Sequence, residues 1–272
     1  MPINRVTTNP DRTALMRWVT RLGAVTAQAL AERDECSLAS ARGRLQAAVR
    51  AGFATSARPL HGAPRLFTAT RSGMALAGFA ANDPTRVGPG GARHQIACAH
   101  AAVALERRYP HHLVSGEREL QFDEGAAGVA LASARMSWRS RWGDSHRPDL
   151  VLWPASTEGL PVVVEVELTP KAPARLVEIC RAWARSRHVG GVLYLAAPAA
   201  MVPVARAINA AAAQERIALI SLEALGATPP DATPPGGTPP DATPQDATPP
   251  SGTAPGRPDP GRVPSQALRS VG

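Results

Sequence analysis

The sequence predicts an α/β (α+β) chain: a small helical unit with a β-hairpin, a mixed sheet flanked by helices, and a disordered Pro/Thr-rich tail. Three observations lead there. Apolar residues recur at helical spacing through much of the first 80 residues. From residue 150 onward, short β-branched runs alternate with amphipathic stretches, as they do where helices connect the strands of one sheet. From residue 226 the chain becomes near-repeats of ATPPD and ATPPGG, which bury no core and are expected to be disordered. The expected division is therefore 11–79, a linker at 80–91, 92–225, and a tail at 226–272.

Composition narrows the class. Of 272 residues, 44% are hydrophobic, enough for packed cores. The 30 basic residues exceed the 22 acidic ones by 8, which favours a polyanionic partner. The tail holds Arg257, Arg262 and Arg269 against Asp231, Asp241, Asp246 and Asp259, so the excess lies on the rest of the chain. Cys36, Cys98 and Cys180 are odd in number and form no CxxC, which suits a reducing compartment. No apolar stretch approaches the roughly 18–20 residues of a membrane span, and no signal-peptide pattern opens the chain, so a cytoplasmic protein without a membrane partner is expected.

Residues 1–10 read as a loose arm. Leu15, Trp18, Val19 and Leu22 form the apolar face of a helix over 12–22, stopped by Gly23. A second short helix covers 25–32, with Thr26 as its cap. Ser37 caps a third helix over 38–51, with Leu38, Leu45, Ala48 and Val49 inward and Gly52 at its end. After Phe53 come a strand, a turn at His61-Gly62 and a second strand over 65–70. Two helices, a recognition-type helix and a hairpin are the parts of a winged helix-turn-helix. The third helix would enter the major groove, with Ser40, Arg42, Arg44, Gln46 and Arg50 on its exposed face. Arg58 and Arg65 flank the wing tip, where they would meet phosphates. Thr70-x-x-Gly73, leading from strand to helix, resembles the end of many winged-helix domains. The same parts also describe a three-helix domain whose basic face is solvated or contacts protein.

The second unit opens with an alanine-rich helix over 92–108. His94 and His100 are six apart rather than four, so they do not share a helix face as a zinc pair would. A strand is expected over 113–122, with Glu117 and Glu119 on one face. Residues 123–145 read as an excursion carrying Arg135, Trp138, Arg139, Arg141 and Trp142, suited to stacking on bases or to packing on the domain. The next strand, 150–153, is entered through Pro148 and Asp149. In the strand over 162–168, Glu165 and Glu167 share one face, while Val162, Val164, Val166 and Leu168 share the other. Carboxylates buried without partners cost several kcal/mol each, roughly, so these two must face a cation, donors or water. If the two strands pair, Asp149, Glu165 and Glu167 converge at one end of a sheet, and oxygen ligands of that kind suit Mg2+ or Mn2+. Lys171, the only lysine among 30 basic residues, lies just beyond. A helix over 173–187 follows, with Leu176, Ile179, Cys180 and Trp183 as its apolar stripe. Cys180 is expected in the core and not as a nucleophile. A strand over 189–196, a helix over 202–215 and a strand over 217–222 complete the unit. Helices between sheet strands imply right-handed crossovers and parallel pairing.

Pro148-Asp149 and Glu165-Val166-Glu167 resemble the two acidic elements of the PD-(D/E)XK nuclease-like core. The resemblance implies that Asp149 and Glu165 hold a divalent metal, Mg2+ or in its place Mn2+, and that Asp149, Glu165, Glu167 and Lys171 form a catalytic set. Glu167 stands where that superfamily usually has its lysine, and Lys171 comes four residues later, beyond Pro170. Glu117 is a further candidate acid. Over roughly residues 11–225 the chain resembles the bacterial plasmid replication-relaxation family, through HRPDLVLWP, VVVEVELTPKAP, EICRAWARSR and VGGVLYLAAP. That resemblance implies a winged helix joined to a PD-(D/E)XK-like domain, with double-stranded DNA and replication or mobilisation proteins as partners. Three functions remain open: a DNA-binding protein with a nuclease-like domain used for assembly or DNA contact, a Mg2+-dependent endonuclease or nickase, and a winged-helix transcriptional regulator.

Overall fold

The computed structural model describes residues 10–79, 83–136, 145–156 and 159–226. The arm at 1–9, the Trp/Arg-bearing positions 138, 139, 141 and 142, and the tail beyond Gly226 lie outside the described residues. Among those described, eight helices and a five-stranded mixed sheet form a mixed α/β fold, and no helix is long and apolar enough to cross a membrane.

The first part runs α1 (Pro10–Leu22), β1 (Val25–Thr26), α2 (Ala27–Arg33), α3 (Leu38–Arg50), β2 (Ala54–Ala57), β3 (Leu66–Ala69) and α4 (Arg71–Ala77). Side-chain caps set its helix starts: Thr26 Oγ1 accepts from Ala29 N, Ser37 Oγ from Ser40 N, and Thr70 Oγ1 from Gly73 N. Val25 and Thr26, expected inside the second helix, instead form a two-residue strand against β3, giving an antiparallel sheet in the order β1-β3-β2. Both are β-branched and precede the capped turn, so pairing satisfies their backbone before the helix begins. Gly52 follows α3 with φ +76°, a conformation open to glycine. α4 packs directly on the chain entering β2: a Cβ on Gly73 would lie 1.9 Å from the Phe53 carbonyl oxygen.

The second part runs α5 (Pro89–Arg108), β4 (Leu113–Gly116), α6 (Glu117–Ala127), β5 (Ala134–Arg135), β6 (Ser145–His146), β7 (Leu150–Trp153), β8 (Val162–Glu167), α7 (Pro173–Arg185), β9 (Gly191–Ala196), α8 (Pro198–Ala210) and β10 (Ile217–Ser221). The large sheet has the order β10-β9-β8-β7-β4, with β8, β9 and β10 parallel and β7 and β4 antiparallel to their neighbours. α5 starts three residues before its expected position, because Pro89 takes the first helical turn, where a missing N–H does no harm. α8 likewise starts at Pro198 and ends at Ala210, not 202–215.

The expected strand over 113–122 is only half a strand. It ends at Gly116, and Glu117 and Glu119 lie in the first turn of α6. Acidic side chains there meet the positive end of the helix dipole, which favours a helix start over strand continuation. Further along α6, Glu124 is buried and accepts from the backbone N–H groups of Leu131, Ala132 and Ser133 beyond the helix and from the Ser133 hydroxyl at 2.6 Å.

The sheet separates two cores. Val162, Val164, Val166, Leu150 and Leu152 face α5, in a core continuous with Leu15, Met16, Leu30 and Leu45 of the first part. Val151 and Val163 face Leu176, Ile179, Cys180 and Trp183 of α7. Polar contacts also join the parts: buried His100 of α5 pairs Nδ1 with Glu32 Oε2 at 3.2 Å, and Arg33 Nε donates to Glu106 Oε2 at 3.0 Å.

Because no rotamer change can move the Phe53 carbonyl, Gly73→Ala forces backbone to shift. The expected loss is about 1–3 kcal/mol of stability, read as a lower urea midpoint at unchanged slope.

Candidate functional site

β7 and β8 pair antiparallel, with Leu150 opposite Val164, so Asp149 and Glu165 come to the same end of the sheet. Asp149 Oδ2 accepts from Val166 N at 2.7 Å. Its Oδ1 lies 2.8 Å from His94 Nε2 on α5, and His94 Nε2 lies 3.4 Å from Cys98 Sγ one turn further on. Glu165 is buried on the α7 side. Its Oε1 accepts from Trp183 Nε1 at 3.0 Å and lies 2.7 Å from His146 Nε2 of β6. The His146 and Trp183 rings meet edge to face with centroids 5.8 Å apart. Lys171 turns back to donate to Glu167 Oε2, so the lone lysine does reach the acidic strand. Burial, reinforced by Asp149, raises the pKa of Glu117 at the α6 start.

The electrostatics follow from burial and pairing. Burial pushes the Glu165 carboxyl up, against the pull of His146. Burial opposes charge on His146, yet the Glu165 carboxylate outweighs it and raises the imidazole pKa. Both shifts point one way: the pair retains a proton more firmly than either group alone. The hydrogen bond to Asp149 raises His94. Cys180 is buried in the core as expected, and burial raises its thiol to about 11 and the Cys98 thiol well above its usual value.

A cavity of about 610 Å³ opens beside this end of the sheet. Arg93 and His94 line it from α5, Glu167 and Lys171 from the end of β8, and His61 and Pro64 from the β2–β3 loop of the first part. The hairpin tip and the acidic strand therefore share one cavity.

The expected DNA-contacting residues divide. Arg42, Gln46, Arg58 and Arg65 line one groove of about 490 Å³ between α3 and the β2–β3 loop, joined by Gln28 of α2. Arg44, two residues from Arg42 and so on another side of the helix, is ion-paired with Asp34. Ser40 is exposed at the start of α3 and Arg50 at its end.

Three residues without an expected role hold the acids, His94, His146 and Trp183, and Cys98 stands against His94. His94 and Cys98 stand four apart on one helix, a spacing visible in the sequence but hidden by comparing His94 only with His100. His146 and Trp183 lie 37 positions apart and carry no such signal. Mg2+ takes about six oxygen ligands. Here the donors next to Asp149 are nitrogen and sulfur, and Glu165 belongs to a separate hydrogen-bonded set, so the residues as arranged do not fit a Mg2+ shell.

No family model, characterised protein or solved structure matches the chain.

The Glu165–His146 pair sets a pH dependence. The folded Glu165 pKa exceeds its unfolded value, so between the two the folded state binds the extra proton and rising pH removes stability. His146→Ala deepens this by leaving Glu165 buried without its cation. The expected loss is about 3–5 kcal/mol near pH 8 and smaller at acid pH, as the carboxyl takes up a proton, measured by urea denaturation at high and low pH.

Proposed function

We propose that this chain binds double-stranded DNA in the cytoplasm as a protein of plasmid or mobile-element replication-relaxation type. Residues 11–79 act as a winged helix-turn-helix and residues 92–225 as a nuclease-like body. Replication or mobilisation proteins are the further partners of that reading. The observation that carries it is the groove between α3 and the hairpin, where Arg42, Gln46, Arg58 and Arg65 stand together. The helix–strand–helix–helix–hairpin order is that of a unit which sets its third helix in the major groove, with the hairpin against the backbone. Arginine and glutamine suit base edges and phosphates alike. The net charge of +8 supports the same partner.

The test is a gel shift with a mixed-sequence duplex across a salt series. Wild type is expected to bind, with affinity falling as salt rises. The double variant Arg42→Ala, Arg65→Ala is expected to lose at least about ten-fold in affinity, with a salt slope shallower by about one for each phosphate contact removed. A double variant that binds like wild type removes the groove from the DNA interface.

The second reading is an endonuclease or nickase dependent on Mg2+ or Mn2+. Lys171 beside Glu167 favours it, since a cation there suits a scissile phosphate. It requires Asp149 and Glu165 to leave their histidines for the ion. Both carboxylates are engaged, so we expect supercoiled plasmid to stay intact with wild-type protein and Mg2+. Relaxation or linearisation that disappears in Asp149→Ala and Glu165→Ala would establish the second reading instead.

A further inference from the structure

Among the described residues, one group of three metal-binding side chains has its ligand atoms all within 4.8 Å of one another: His94, Cys98 and Asp149. Two come from successive turns of α5 and the third from the entry to β7. A tetrahedral zinc shell separates its imidazole nitrogen and thiolate sulfur by about 3.6 Å, and nitrogen and carboxylate oxygen by about 3.3 Å, given the usual bond lengths. The corresponding distances here are 3.4 Å and 2.8 Å. An ion seats here if the carboxylate and imidazole separate by about half an ångström, within the reach of side-chain torsions.

The supports of the ligands are in place as well. Asp149 is held through Oδ2 by the Val166 N–H, which leaves Oδ1 turned to His94, the kind of outer hydrogen bond that orients a ligating carboxylate. Cys98 is buried, so the thiol is shielded from bulk solvent. His94 lines the 610 Å³ cavity, which gives an ion an entry path and a source of water.

We propose that His94 Nε2, Cys98 Sγ and Asp149 Oδ1 bind one borderline divalent ion, Zn2+ or a close substitute such as Co2+, with a water from the cavity in the fourth position. Nitrogen, sulfur and a single carboxylate are the donors such ions select, and Mg2+ and Ca2+ do not. Binding exchanges protons for metal: the Cys98 S–H proton leaves to solvent, the hydrogen between His94 Nε2 and Asp149 Oδ1 leaves to solvent from an imidazolium or shifts to Nδ1 in a neutral ring, so that Nε2 presents its lone pair, and three metal–ligand bonds form. No electron is transferred. The site stands apart from DNA binding, which uses the α3 groove, so either can fail without the other.

The experiment titrates the full chain, stripped of metal, with Co2+ and follows the visible and near-ultraviolet spectrum. Wild type is expected to take up one equivalent with tetrahedral ligand-field bands and a thiolate-to-cobalt charge-transfer band, and Zn2+ should abolish both. Excess Mg2+ should leave them unchanged. Cys98→Ser should lose the charge-transfer band, whereas Cys36→Ser should keep it. His94→Gln, at a half-buried position, leaves the thiol in place and should weaken Co2+ binding at least ten-fold, with an unchanged far-ultraviolet circular dichroism spectrum. A wild type without the charge-transfer band overturns the proposal. So does a band that survives Cys98→Ser, or a His94→Gln variant that binds Co2+ as wild type does.

Discussion

A carboxylate placed in the middle of a buried strand must find a donor, and the sheet end of this protein is built around that demand. β8 carries Glu165 and Glu167, both nearly inaccessible, between valines that bury fully. Each buried valine contributes roughly 1.5–3 kcal/mol, and each unpaired buried charge would cost several. The strand is therefore tenable only because every acid is met. Trp183 reaches Glu165 from α7, His146 from β6, Lys171 meets Glu167, and His94 meets Asp149 from α5. Three elements from different parts of the sequence, α5, β6 and α7, meet two of these carboxylates, and Lys171 of the loop after β8 meets the third.

The same demand ties the two parts of the chain together. α5 supplies His94 to the acidic end of the sheet and, two turns later, His100 to Glu32 of α2. Its apolar residues belong to a core that continues from the sheet into α1, α2 and α3. The tip of the β2–β3 loop then comes to the cavity that Glu167 and Lys171 line. In the proposed reading a wing that contacts DNA and a nuclease-like site are thus neighbours through one short loop.

Charge and geometry also sort the basic residues. Twenty-nine arginines look interchangeable in the sequence. In the fold they divide by partner: Arg44 and Arg33 pair with Asp34, Arg21 with Glu119, and Arg216 donates to the Ser186 and Val189 carbonyls. Arg42, Arg58 and Arg65 instead line an open groove, where a polyanion can reach them.

Local signals in the sequence were enough for most elements. Thr26, Ser37 and Thr70 are caps wherever the chain folds, because a hydroxyl before a helix satisfies orphan N–H groups without tertiary help. The alternation in β8 dictates which residues face which core, since side chains switch faces at every step. The pairing of β7 with β8 and the parallel crossovers follow from chain order and handedness. Local signals failed at Val25, which pairs as strand ahead of the helix that Thr26 caps, and at Glu117–Glu119, where a β-branched residue and two alternating acids suit either state. There the partner strand β3 and the dipole of α6 decide. Tertiary structure alone decided what the acids hold. His146 and Trp183 meet on Glu165 only because β6 and α7 pack on one face of the sheet, and Cys98 joins His94 beside Asp149 only because α5 packs on the other. Such contacts depend on where whole elements dock, and docking is set by the summed burial of many apolar residues rather than by any short motif.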